Sequence, residues 1–372
     1  MSSDAGELSI PTVDLADLVH HDRAVRAEAA AAIREGFSIY GLVYVRNHGV
    51  DLELRERVFD RFARFTARGT EAKEHVNRPD LWFQRGWTPP NTERAVVAGG
   101  QPDFKECYFA APMPLDPDCR IEYPEIFADN VWPEGDEGFA EDYVALGQQL
   151  HEAGLSLLSG LSMALGLPPR GFDQRLEGAA HVFRLLRYLP LTADQVGAGI
   201  LWGEEHTDFN LLTLLPGGRF LDPEGKPCAA PDDASGLFLR TRPTKEHPQG
   251  QKVQGTPPPG CIVAQVGQQL EILTGGEVLA TPHVITAPRT PGYTRLSAAH
   301  FLHLHPHQMV FPFEKYRTTE TLKAYSPPVL AGTYSIKTLV DIGLAPSSAL
   351  DLLGYRHYGR LASIRAEESP AE

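Results

Sequence analysis

Three side chains able to bind a metal and two able to hold a carboxylate stand at complementary spacings in the second half of this 372-residue chain. His206-Thr-Asp208 places an imidazole and a carboxylate two residues apart; His283 supplies a second imidazole, and Arg295-Leu-Ser297 follows it closely. Two imidazoles and one carboxylate are the ligand set of a facial triad, which holds Fe(II) on one side and leaves the opposite positions open for oxygen chemistry. Beside such a metal, the planar fork of an arginine and the hydroxyl of a serine suit a co-substrate that carries a carboxylate. If the five residues converge, the chain is an iron oxygenase.

Their convergence requires strands. Residues two apart on a strand project to the same face, so His206 and Asp208 can reach one metal from the end of a single strand, with Thr207 turned away. His283 must then come from another strand. Arg295 and Ser297 share a face by the same rule, in a run otherwise made largely of Leu, Ala and Phe, where an unpaired charge would be costly. His-x-Asp alone is weak: a second copy, His20-His21-Asp22, reads as a solvated segment that caps a helix. Two other readings compete. A zinc hydrolase could use the same two histidines and aspartate, but would leave Arg295 and Ser297 without a purpose. A non-catalytic jelly-roll binding module would leave the whole constellation idle.

The remaining text supplies the elements. Residues 9–14 read as a short strand, 23–35 as an alanine-rich helix stopping at Gly36, 37–46 as a buried strand and 52–76 as a second helix. Residues 78–137 are rich in Pro, Gly, Asp and Asn and read as loops. Leu146, Leu150, Leu157, Leu158, Leu161 and Leu165 stack on one helical face that Pro168-Pro169 terminates. From there, short runs at 182–189, 210–215, 236–240, 261–266 and 295–304 are separated by turn residues, and 242–259 is a polar loop. Many short strands of this kind indicate a jelly roll. The expected architecture is α+β: a double-stranded β-helix (jelly-roll) core flanked by helices, with a helical N-terminal region. Its expected parts are residues 1–170 (helix-rich), 171–310 (catalytic core) and 311–372 (C-terminal helices and a disordered tail from 367), forming one integrated catalytic domain.

Bulk properties narrow the partners. A hydrophobic content of 42% with 22% charged residues fits a globular protein. The net charge of −14 argues against nucleic acid or an anionic membrane as partner. Four scattered cysteines without a CxxC pair indicate reduced thiols. The first residues lack the basic start and apolar core of a signal peptide, and no apolar run is long enough for a bilayer, so a cytoplasmic location is expected.

Across residues 9–345 the chain resembles the isopenicillin N synthase-like 2-oxoglutarate/Fe(II)-dependent dioxygenases. His206-Thr-Asp208, His283 and Arg295-x-Ser297 match that family's signature. Ile10-Pro-Thr-Val-Asp14 resembles its opening strand, and Gly36-Phe37 through Asn47-His-Gly49 its "GF…V.NHGI" segment. Arg85-Gly-Trp-Thr-Pro89 and Asp103-Phe-Lys-Glu106 resemble stretches of its bacterial members. Gln265-Val-Gly267 through Gly276 is similar to its "N.GD.L…TNG" hairpin. The resemblance implies that His206, Asp208 and His283 ligate Fe(II), that 2-oxoglutarate and O2 take the free positions, and that Arg295 and Ser297 hold the distal carboxylate of 2-oxoglutarate. It implies decarboxylation to succinate and CO2 coupled to hydrogen abstraction from a small natural-product or amino-acid-derived substrate, ending in hydroxylation, desaturation or ring formation. An Fe(II) oxidase of the same fold that does not use 2-oxoglutarate is the alternative. A monomer or weak dimer is expected.

Two departures stand out. Tyr188 sits one residue further from Pro190 than the family's tyrosine does; it either donates to the co-substrate or is a buried structural tyrosine. Gln268 replaces an aspartate and reads as a turn or supporting contact. His300, His303, His305 and His307 crowd the end of the 295–304 run, and alternation puts the last three on one face. They resemble a second metal site, but the family's corresponding stretch carries histidine without using it for iron, so none is expected to bind metal. His48 reads as structural, and Phe209, Leu211, Phe301 and Phe313 as core or pocket wall.

Overall fold

The computed structural model describes residues 10–93, 103–198, 200, 202–241 and 248–353. The first part of the chain forms β1 (Thr12–Asp14), α1 (Leu15–Leu18), α2 (Arg23–Ile39), β2 (Leu42–Arg46), α3 (Leu52–Thr66), β3 (Gly86–Thr88), β4 (Lys105–Ala110), α4 (Cys119–Glu122), α5 (Phe139–Ala164) and α6 (Asp173–Leu176). The strand-rich part follows, with β5 (Val182–Tyr188), β6 (Gly203–His206), β7 (Leu212–Leu215), β8 (Gly218–Leu221), β9 (Pro227–Cys228), β10 (Gly236–Arg240), β11 (Lys252–Gln254) and β12 (Ile262–Val266). Last come α7 (Gln268–Leu273), β13 (His283–Thr286), β14 (Thr294–Leu302), β15 (Met309–Val310), α8 (Thr319–Ala324), β16 (Val329–Leu330), α9 (Ala331–Asp341) and α10 (Ala349–Leu352).

Two sheets make the core. The larger runs β1-β2-β12-β7-β14-β5-β4-β3, with β8 alongside the first half of β14 and β9 beyond it; the smaller runs β11-β10-β13-β6. Between them, Leu186, Tyr188 and Ala299 of the larger sheet cluster with Leu237 and Ile285 of the smaller. On the other side of the larger sheet, Leu146, Leu150, Leu157 and Leu161 of α5 share a core with Leu296, Ala298 and Leu302 of β14. This is a double-stranded β-helix flanked by helices, in the α+β class. Burying one such leucine is worth about 1.5–3 kcal/mol, and truncating it to alanine costs about 2–5 kcal/mol through the cavity left behind. Among the described residues no helix is long and apolar enough to cross a membrane.

Packing overrides several local signals. Helix α2 continues past Gly36 to Ile39, so Phe37 begins no strand. A Cβ on Gly36 would lie 2.3 Å from Val43 Cγ1, so this glycine serves close helix–sheet approach rather than a stop. Helix α3 ends at Thr66 rather than Val76, which belongs to a separate short 3₁₀ turn. The 78–137 stretch, which reads as loop, contributes β3 and β4, both fully buried in the larger sheet. The segment likened to a hairpin after Gln265 is helical: β12 ends at Val266, Gly267 caps the turn and α7 starts at Gln268. The tail at 367–372 lies outside the described residues.

The family-like motifs of the N-terminal half have structural duties. Asp22 caps α2 by accepting from Ala24 N, so His20-His21-Asp22 is a cap. Arg85 is fully buried and donates to the carbonyls of Gln84, Ile126 and Ala128. Glu106 accepts from Lys73, Trp87 and Arg187, and locks β4 into place. His48 accepts from Val50 N and donates to the Gly260 carbonyl.

Candidate active site

Strands β6 and β13 pair antiparallel with His206 directly opposite His283. The ring centroids lie 4.4 Å apart. Asp208 sits two residues beyond the end of β6 rather than on it. Its Oδ1 lies 3.7 Å from His206 Nε2 and 3.8 Å from His283 Nε2. These three ligand atoms all lie within 4.8 Å of one another. The segments 206–208 and 283 therefore meet as their spacing requires.

Supporting contacts aim each ligand atom inward. His206 Nδ1 donates to the Glu204 carbonyl at 2.7 Å, which leaves Nε2 with a free lone pair. Thr213 donates to Asp208 Oδ2 at 2.6 Å, so that Oδ1 is the oxygen facing the imidazoles. Gln268 Nε2 donates to Thr207 Oγ1 at 2.5 Å, its backbone N–H bonds the Asp208 carbonyl at 2.8 Å, and Tyr334 of α9 donates to its Oε1. Gln268 thus clamps the turn that carries Asp208. The Gln265 amide lies 2.7 Å from His283 Nδ1, while its Oε1 is buried without a partner. With that amide rotated by half a turn, His283 Nδ1–H donates to Oε1 and Nε2 of the ring is left free. Burial, with His206 alongside, pushes the His283 pKa down to about 4, so the ring is neutral and able to ligate.

Arg295 and Ser297 point from β14 into a cavity of about 500 Å³ that the triad also lines. Arg295 lies opposite Tyr188 in the β14–β5 pairing, its guanidinium 5.5 Å from the ring centroid. Burial lowers the Arg295 pKa, yet among the described residues no carboxylate pairs with it, and Nη1 is buried without a partner. Gly218 on β8 makes room for it: a Cβ there would lie 2.8 Å from Nη2.

The family model for the N-terminal part of the non-haem dioxygenases of morphine synthesis matches residues 10–135, and the model for the 2OG-Fe(II) oxygenase superfamily matches residues 181–304. The chain belongs to the 2OG-Fe(II) oxygenases. It is 25% identical, over 77% of its length and 81% of the relative's, to the 2-oxoglutarate-dependent dioxygenase frbA of a Dothideomycetidae species. A homoarginine-6-hydroxylase from Oryza sativa subsp. japonica is 26% identical over 70% of this chain and 73% of that one. Among solved structures, a full-length Neurospora crassa protein in complex with alpha-KG superposes with a TM-score of 0.72 at 22% identity, covering 91% of this chain and 98% of the other. A 2OG-Fe(II) oxygenase family protein from Caulobacter crescentus superposes with a TM-score of 0.71 at 25% identity, covering 90% and 99%. The enzyme is accordingly an oxidoreductase whose cofactor is Fe(II) and whose co-substrate is 2-oxoglutarate.

Both groups fit the residues present. The unpaired Arg295 Nη1 and the Ser297 hydroxyl offer donors for a carboxylate that the chain itself does not provide. Three neutral or anionic ligand atoms on one side of the gap leave the cavity side open.

A second cavity, of about 450 Å³, opens on the other side of His206 and Asp208. Phe109, Phe209, Phe301 and His303 form walls, and Tyr334 and Leu339 of α9 close it. At the junction of the two cavities, Glu93 bonds Arg184 and lies 3.0 Å from Lys105, which also pairs with Asp103. Burial alone would raise the Glu93 pKa, but Arg184 and Lys105 hold it down at about 2. Arg184 Nε and Glu204 Oε2, both on this cavity's lining, are buried without partners.

Sequence reasoning does not single out Thr213, Gln265 or the Glu93–Arg184–Lys105 group. A signal exists for two of them. Gln265 is the one polar residue in the otherwise apolar strand Ile262–Val266, and Arg184 shares the cavity face of β5 with Leu186 and Tyr188 at a spacing of two. His303 proves to be separate from His305 and His307. Strand β14 ends at Leu302, so alternation does not carry on, and the His303 ring lies tilted against Phe209 at 5.3 Å instead.

Proposed function

We propose that this enzyme couples decarboxylation of 2-oxoglutarate, yielding succinate and CO2, to oxidation of a small polar substrate, with iron held by His206, Asp208 and His283. Arg295 and Ser297 take the distal carboxylate of 2-oxoglutarate, and Tyr188 steadies the guanidinium and adds a hydroxyl beside it. The observation that carries this reading is Arg295: a buried guanidinium without a carboxylate, in the cavity that the metal ligands line.

When bound, Fe(II) and 2-oxoglutarate would supply the electrons that activate O2, and O2 is the oxidant that allows a hydrogen atom to be taken from the substrate. The chain's own residues position the partners. Arg295 and Ser297 fix one end of the co-substrate so that its keto-acid end faces the triad. Asp208, held by Thr213, keeps one oxygen on the metal side. The aromatic walls of the second cavity exclude water around the C–H bond that reacts. Arg184 Nε and Glu204 Oε2 are a spare donor and acceptor in that cavity, which suits a substrate bearing both kinds of polar group. Relatives named homoarginine-6-hydroxylase, and a structure of the Neurospora crassa protein in complex with thymine, support a small, polar, amino-acid-derived or natural-product class.

The test is stoichiometric. Purified enzyme with Fe(II) and 2-oxoglutarate is screened against small polar candidates while O2 uptake, succinate and CO2 are followed together. One succinate per O2 consumed is expected. Turnover of a substrate with O2 uptake but no succinate would assign the chain to the oxidases that dispense with 2-oxoglutarate.

A further inference from the structure

We propose a second metal site, a zinc staple formed by Cys119, His305 and His307, independent of the iron centre and unrelated to its assignment. Cys119 lies on α4 in the loop-rich N-terminal stretch, whereas His305 and His307 follow the end of β14. The fold nevertheless brings their ligand atoms within 4.8 Å of one another. Cys119 Sγ is 3.4 Å from His305 Nε2. Zinc–sulfur bonds of about 2.3 Å and zinc–nitrogen bonds of about 2.0 Å at tetrahedral angles give a sulfur–nitrogen edge of about 3.5 Å, so this pair already has the required separation.

The surroundings favour a cation. His305 Nε2 is approached by both the Cys119 sulfur and Asp116 Oδ2, at 3.0 Å, although it has a single proton to give. His307 Nε2 lies 3.1 Å from Glu122 Oε2. Two imidazoles, a thiol and two carboxylates thus converge with more lone pairs than protons. One ion would satisfy them, with the fourth position left to a carboxylate or water. A thiolate with two imidazoles is a zinc-type donor set, unlike the oxygen-rich sets of magnesium or calcium. Ligation through His305 Nε2 puts the ring proton on Nδ1, so the long 3.3 Å contact from His307 N must be released. The entrance is on the His307 side, whose side chain is 45% exposed, while Cys119 is fully buried.

The place gives the staple a purpose. Cys119 packs in the same cluster as Ile336 and Leu339 of α9, and Leu339 lines the second cavity. An ion here would tie the N-terminal stretch to the segment after β14 and brace that cavity wall.

Co(II) titration of chelator-stripped, reduced, full-length enzyme tests the proposal. Two equivalents are expected, one of them with thiolate-to-cobalt charge-transfer absorption, which the His206–Asp208–His283 set cannot produce. Cys119→Ser should lose that band and one equivalent, whereas Asp208→Ala should lose the other equivalent and keep the band. His307→Ala should weaken the thiolate-bearing site at least about tenfold; its exposure lets it decide the matter should Cys119→Ser fail to fold. Wild-type saturation without the band would overturn the proposal, as would a band that survives both Cys119→Ser and His307→Ala.

Discussion

Two close-packed groups of histidines in this molecule have opposite fates. His206 and His283 face a carboxylate oxygen across an open cavity. His151, His181 and His300 pack against one another between α5 and the larger sheet, with His151 Nδ1 3.2 Å from His300 Nε2 and the His151 and His181 rings 4.4 Å apart. Among the described residues no acidic side chain bonds to the second group, and burial pushes all three pKa values down, that of His151 to about 4. The contrast teaches that neither the number of histidines nor their proximity makes a metal centre. A carboxylate to balance charge, partners that orient each ring and room for exogenous ligands do.

The comparison is broken most directly at the triad. Asp208→Ala, His206→Ala and His283→Ala should each abolish iron-dependent succinate release, whereas His151→Leu should leave iron stoichiometry at that of the parent. Full activity with one iron per chain in any of the three would remove that residue from the ligand set. Arg295→Ala should come next in size. Loss of a charge-assisted pair worth about 3 kcal/mol raises the 2-oxoglutarate requirement roughly 100-fold, with iron still bound by metal analysis. An unchanged requirement would favour the oxidase reading.

A finer test separates orientation from ligation. Gln265→Leu removes the acceptor for His283 Nδ1–H and should weaken Fe(II) binding about 10- to 100-fold. Gln265→Glu keeps an acceptor and should restore most of the loss. Equal affinities for both variants, read by anaerobic metal titration, would reduce Gln265 to packing.

The packed group should affect stability rather than turnover. Folded-state pKa values below the ordinary value of about 6.5 mean that the unfolded chain takes up protons that the native protein refuses. Stability is therefore full above about pH 6.5 and declines as pH falls toward about 4, by up to about 1.4 kcal/mol per pH unit for each such histidine. Urea midpoints measured across that range should fall, and His151→Leu should flatten the profile. A wild-type profile that stays level would contradict the burial of these rings as neutral groups.

The meeting of His206, Asp208, His283, Arg295 and Ser297 around one cavity is legible in the sequence because the chemistry proposed for them tolerates few residue types and the strand period sets the spacing of Arg295 and Ser297. Leu146 through Leu161 were legible for the same kind of reason, a repeating face. The rest depends on neighbours distant in sequence. Gly36 looks like a stop until Val43 is seen against it. Lys105 and Glu106 sit in text that reads as loop, and pairing of β4 with β5 and β3 makes it a strand. Cys119 shares nothing with His305 in the text, being 186 residues away.

Strand β14 has a consequence for how the chain must assemble. It matches β5 residue by residue, Arg295 beside Tyr188 and Ser297 beside Leu186, and its two faces have incompatible destinations. A slip of one residue would turn Leu296 and Ala298 toward the cavity and drive Arg295 among the leucines of α5. That misfolded species would forfeit its apolar contacts and strand an ion in oil at the same stroke. Thermodynamic proofreading of the ladder is therefore also proofreading of the enzyme.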